Sequence, residues 1–126
     1  LLAHYAYRGP SLSDTLVVHL RGGDAVRRLG LWFNDWASPQ SMINYVSACV
    51  RASGLPHVRV VTQVFDGPQA HPALQEIRRL AKATGSFDVT GSRQTLDEDF
   101  ALLMHAKHVC LDFSTLGLAA ALISYD

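Results

Sequence analysis

Residues 58–89 read VRVVTQVFDGPQAHPALQEIRRLAKATGSFDV, and this stretch decides the fold. Val58–Val64 is rich in β-branched residues and runs into the turn residues Phe65-Asp66-Gly67-Pro68, as a strand ending in a turn does. Leu74, Ile77, Leu80 and Ala81 then recur at helical spacing from His71 to Ala83, and Thr84-Gly85 stops the pattern. Phe87–Val89 starts another short strand, with Gly91 behind it. Strand, helix and strand in this order form a crossover unit, which places the two strands parallel.

The same alternation extends both ways. Upstream, Thr15–Leu20 (TLVVHL) reads as a buried strand entering an Arg-Gly-Gly-Asp turn, and residues 22–38 read as a long loop. Ser38-Pro39 suits a helix start, Met42, Tyr45, Val46, Cys49 and Val50 supply its apolar stripe, and Gly54-Leu55-Pro56 ends it. Downstream, Thr95 and Glu98 have capping-box spacing, and Phe100, Leu103, Met104 and Ala106 mark one side of the helix they open. His108–Phe113 (HVCLDF) is a fourth strand, after which Ser114-Thr115 open an apolar helix, LGLAAALIS. Residues 1–14, broken by Gly9-Pro10, form a lead-in loop. The expectation is an α/β, Rossmann-like, three-layer domain with a parallel sheet of about four strands.

With 126 residues, the chain fits one domain spanning 1–126. Lys plus Arg equals Asp plus Glu at 11 each, which excludes a general electrostatic grip on nucleic acid or an anionic membrane. Any anion site is therefore local. No apolar run reaches membrane-spanning length, and no basic-then-apolar leader opens the chain. Because it begins with Leu, the chain is expected to be a piece of a longer protein. Cys49 and Cys110 lie in apolar segments without CxxC spacing and read as buried thiols, a disulfide in a longer secreted parent remaining the alternative. His and Cys are too scattered for a metal quartet, and no GxGxxG, P-loop or GxSxG element is present.

Ligands of open parallel sheets gather at the carboxyl ends of the strands. Three polar segments are expected there: HLRGGD after strand one, QVFDGP after strand two and DFST after strand four. Arg21 can fork onto a phosphate in a way Lys cannot copy. Ser114 and Thr115, at a helix N-terminus, form either an anion cradle or a plain cap. Gly22 and Gly23 allow close backbone approach to a ligand, or a tight turn. Asp24 caps that turn or pairs with Arg21. His19 is either a satisfied core histidine or a ligand contact. Asp66 reads as a turn residue, and Asp97, Glu98 and Asp99 as first-turn acids favoured by the helix dipole. From residue chemistry alone the site is one for a phosphate or nucleotide phosphate.

VVHLRGGD resembles the HxRxGD segment of fucosyltransferases that use GDP-fucose, the α1,2-, α1,6- and protein O-fucosyltransferase group. LDEDFALLMHAKHVCLDFSTLGLAAALIS resembles a later segment of that group, and VRVVTQVFDGPQAHPAL the strand that precedes an acidic turn, so the likeness covers most of residues 15–124. It implies the carboxyl-side, donor-binding half of a two-domain GT-B type glycosyltransferase, acting in the Golgi or endoplasmic reticulum. Arg21, with Ser114 and Thr115, would hold the diphosphate of a GDP-sugar, while His19 and Asp99 would contact the guanine. The acceptor, a glycan or glycoprotein, would be bound by an amino-side domain absent from this chain, which alone would be inactive. No metal or other cofactor is implied. Many members carry a second Arg where Gly22 stands here, and the glutamate proposed as base in the α1,6 branch has no counterpart in AVRRLGLW. The alternative is a Rossmann-like nucleotide- or anion-binding module without transferase activity.

Overall fold

A computed structural model of the chain describes residues 7–20, 39–91 and 94–111. In chain order these form β1 (Thr15–His19), α1 (Pro39–Ser53), β2 (His57–Val61), α2 (Pro72–Thr84), β3 (Asp88–Thr90), α3 (Leu96–His105) and β4 (His108–Leu111). The four strands make one sheet in the order β3-β2-β1-β4, and every neighbouring pair is parallel. The chain therefore builds outward from β1 to β3, then returns to place β4 on the other side of β1. Such a return, made with unchanged crossover handedness, sends the returning helix to the opposite face. The packing agrees. Leu16, Val18, Val58, Val60 and Cys110 form one core with Val46 and Val50 of α1 and Leu74 and Ile77 of α2. Val17 and Val61 form a second core with Leu102, Leu103 and Met104 of α3. Helices cover both faces of a parallel sheet, so the domain is α/β and Rossmann-like.

β1 is buried along its whole length, as expected of a central strand covered on both sides. Its first-to-last register sets Thr15 to His19 against His57 to Val61 of β2, and Leu16 to His19 against His108 to Leu111 of β4. The ladder explains why β2 ends at Val61 instead of reaching Val64. β1 ends at His19, just past which the Leu20 N–H donates to the Val61 carbonyl at 3.0 Å, and Thr62 to Val64 lie beyond the end of β2.

Helix ends follow their local chemistry. The His71 Nδ1 accepts from the Ala73 N–H at 3.1 Å to cap α2. At the other end Gly85 takes φ 64°, a left-handed conformation that costs glycine little, and its N–H donates to the Ala81 carbonyl. Thr95 and Glu98 complete the expected capping box on α3.

Several details depart from expectation. The buried stripe of α3 is Asp99, Leu102 and Leu103, extended by Ala101 and Met104, whereas Phe100 and Ala106 are only half-buried. The true inward face is thus rotated by one position from the expected stripe. On α1, Tyr45 is exposed and Cys49 half-buried, so the burial expected of both thiols holds for Cys110 alone. The lead-in is more than a loop: Leu12 is buried in the second core, Tyr7 packs against it, and the Tyr7 ring stacks on His105. The Tyr7 hydroxyl donates to the Pro10 carbonyl at 2.9 Å, folding the ring over Gly9, where a Cβ would strike it. Phe113, the helix expected from Ser114 and the loop over 22–38 lie outside the described residues. Among the described residues, no helix is long and apolar enough to cross a membrane.

One ion-pair cluster closes the amino edge of the sheet. His57 at the start of β2 pairs through Nδ1 with Asp88 of β3, and its Nε2 lies 3.9 Å from Asp14 before β1. The Asp88 hydrogen bond, aided by the charges of Asp88 and Asp14, raises the His57 pKa above its ordinary 6.5. A raised pKa in the folded state favours folding while the imidazolium persists, and this contribution disappears as pH rises through the folded value. Urea unfolding of wild type and His57→Gln should therefore differ below pH 6.5 and converge in alkaline solution. A constant difference across that range would assign the effect of His57 to packing.

Candidate functional site

Strand order reverses between β1 and β4, and in open α/β sheets the carboxyl ends of the strands at such a reversal are the usual ligand position. His19 is the last residue of β1, paired in register with Val61 and Leu111. Alternation along the strand puts His19 on the same face as Val17, the face covered by α3. It is buried, with 7% of its surface exposed.

Asp99 comes to that same face from the first turn of α3. Leu102 and Leu103 follow it three and four positions later and are buried against Val17 and Val61. Anchoring those leucines carries Asp99 inward with them, leaving it only 2% exposed. Its carboxylate is not unpartnered. The Gln63 Nε2 donates to Oδ2 at 2.6 Å, and the Gln94 Nε2 donates to Oδ1 at 2.9 Å. An ionised carboxylate only accepts, so it dictates how both amides face.

The electrostatics of this group oppose one another. Burial pushes the Asp99 pKa above its ordinary 3.8, since a charge with little solvent around it is disfavoured. The Gln94 and Gln63 hydrogen bonds and the nearby His19 imidazole pull it down, while the neighbouring Glu98 adds to the upward push. Glu98 itself is held below its usual range by the backbone N–H and the side chain of Thr95. The two adjacent acids of one helix turn thus do different work: Glu98 caps the helix and Asp99 sits inside the protein. Asp99 is a first-turn acid of α3, as expected, but it falls on the buried stripe of that helix. Asp97 stays exposed, as such an acid would.

Of the residues singled out from sequence, His19 and Asp99 come together. Arg21, Gly22, Gly23, Asp24, Ser114 and Thr115 lie outside the described residues. Asp66 remains a turn residue: Gly67 has φ 87°, and Asp66 is 3.7 Å from Arg78 of α2. Gln63 belongs to the QVFDGP segment expected at the strand edge but was not singled out in it, and Gln94 was missed. The signal for Gln63 was its place two residues past the carboxyl end of β2, the edge at which site residues of an open parallel sheet gather. Gln94 stands just ahead of the Thr95 cap, where a side chain can reach over the first turn. Thr62 was missed too; its buried hydroxyl has no hydrogen-bond partner among the described residues.

A buried carboxylate flanked by an imidazole and fixed by two amides is suited to accepting N–H donors from a ligand, and to doing so with little motion. Among the described residues, no three His, Cys, Asp or Glu side chains converge as a metal site. Compared with protein-family models, curated proteins and solved structures, the chain matches none of them.

Proposed function

We propose that this chain is the donor-binding domain of a glycosyltransferase that moves fucose, or a related hexose, from a GDP-sugar to an acceptor hydroxyl with inversion. The observation that carries the reading is the buried His19 and Asp99 pair at the carboxyl edge, beside the strand where sheet order reverses. These are the two residues that the fucosyltransferase resemblance assigns to the guanine. A carboxylate there can accept from both the N1 and N2 hydrogens of that base.

In this reading Arg21 takes the diphosphate, and Ser114 and Thr115 share it. Gly22 and Gly23 leave room for the ligand, and Asp24 holds Arg21 in place. The reaction breaks the bond between the sugar C1 and the diphosphate oxygen while the acceptor oxygen bonds to C1 from the opposite side. Negative charge grows on the departing GDP, and a guanidinium fixed beside it stabilises that charge where it develops. The acceptor's proton passes to a base outside this set of residues, supplied with the acceptor site by the rest of a longer, secretory-pathway protein.

Calorimetry of the intact protein with GDP, GDP-fucose, UDP and ADP tests the reading. GDP and GDP-fucose should bind, UDP and ADP should bind far less, and Arg21→Ala should abolish the heat of GDP binding. No response to either guanine nucleotide would end the proposal. GDP binding without sugar transfer would instead identify a nucleotide-binding module lacking transferase activity.

A further inference from the structure

We propose that Gln63 and Gln94 are positioning residues that make Asp99 a reader of the guanine 2-amino group, so that the site discriminates GDP from IDP. This inference rests on the GDP-sugar reading above.

A carboxylate offers about four acceptor positions, two on each oxygen. Gln63 occupies one on Oδ2 and Gln94 one on Oδ1, at 2.6 and 2.9 Å. Each oxygen therefore keeps capacity for one further donor. A ligand edge with two adjacent N–H donors satisfies both oxygens at once. Among the common bases, guanine carries such an edge, at N1 and N2. Hypoxanthine keeps the N1 hydrogen and loses the 2-amino group, which would leave one oxygen of a buried carboxylate short of a partner. Unmade bonds to buried charged groups are costly, and this cost is what generates discrimination.

The two amides come from different segments of the chain. Gln63 follows β2, and Gln94 precedes the cap of α3. Together they fix rotation about the Asp99 side chain, which α3 alone would leave free to turn. Among the described residues, the polar groups facing Asp99 are His19 from β1, Gln63 from the segment after β2, and Gln94 and Glu98 from α3 and its approach. His19 brings a single imidazole, which does not specify two acceptor directions. That task falls to the amides.

The test compares GDP and IDP affinities for wild type, Gln63→Met and Gln94→Met, with the unfolding temperature of each protein recorded. Methionine keeps the length of the side chain and removes the donor. Wild type should prefer GDP by about tenfold or more, in the range of a bidentate base contact. Each variant should lose most of that preference, chiefly through weaker GDP binding, with IDP affinity little changed. Loss of fold weakens both nucleotides equally and leaves the ratio intact, so the ratio separates positioning from stability. Gln94 lies outside the helix and the sheet, which gives a second route if Gln63→Met folds poorly. A wild type that binds GDP and IDP equally, or variants that keep the wild-type ratio, would overturn the inference while leaving GDP binding standing. Failure of wild type to bind either nucleotide would overturn the GDP-sugar reading itself.

Discussion

Leu102→Ala should lower unfolding free energy by about 2–5 kcal/mol and, on the proposed GDP-sugar reading, weaken GDP binding as well. Leu102 is 1% exposed and belongs to the core that holds α3 on the sheet. Its truncation removes apolar contact and leaves a void that neighbouring side chains fill only in part. Domains are commonly stable by about 5–15 kcal/mol, so the loss is large but need not unfold the protein. Ile77→Ala is the control. Ile77 is fully buried on the other face, under α2, and its truncation should cost a similar stability. Yet α2 carries neither His19 nor Asp99, so the folded fraction of Ile77→Ala should bind GDP as wild type does. Denaturant titrations and calorimetry at a temperature where all three proteins are folded would separate these effects. Equal losses of affinity in both variants would deny α3 its part in presenting the site.

Asp99→Asn should have the opposite pattern, with GDP affinity falling about tenfold to a hundredfold and unliganded stability no lower than wild type at neutral pH. Burial raises the folded pKa of Asp99 above 3.8, so the unfolded chain releases this proton more readily than the folded one. Its contribution to stability is complete below that ordinary value and is lost as pH rises through the higher folded one. At neutral pH the ionised group is tolerated at a cost that Asn does not incur. One Gln amide, turned over, offers its carbonyl to the new Nδ2. The stability difference between wild type and Asp99→Asn should therefore move in favour of wild type as pH falls toward 3.8 and in favour of the variant as it rises. A difference that does not vary with pH would mean that Asp99 titrates alike in both states.

Much of this fold was legible in residues 58–89, where a β-branched run, an apolar helical stripe and a second strand follow one another with glycine-bearing breaks. Helix ends were equally plain, because Thr95 with Glu98, and Gly85 after Thr84, act within one turn of chain. What escaped was anything decided by two distant segments. The stripe on α3 was misjudged by one position because its inner face includes an acid. A carboxylate on an apolar face is normally penalised, and here Gln63, brought in from beyond the end of β2, Gln94 and the nearby His19 offset that penalty. Local preference failed at the position with the strongest claim to a functional role, as it tends to where a site is built against stability. The end of β2 was misplaced for a related reason. Its apolar residues continue to Val64, but the strand it pairs with does not.

The parallel order also bears on how the protein is made. β1 emerges first from the ribosome, yet Leu16 must wait for His108, most of the chain later, before its second side is closed. Until then the most deeply buried strand of the finished sheet presents an open row of backbone donors and acceptors, a template on which another nascent copy could add. Synthesis interrupted before β4 would thus release a sticky intermediate, and the secure interior of the finished domain is its hazard during birth.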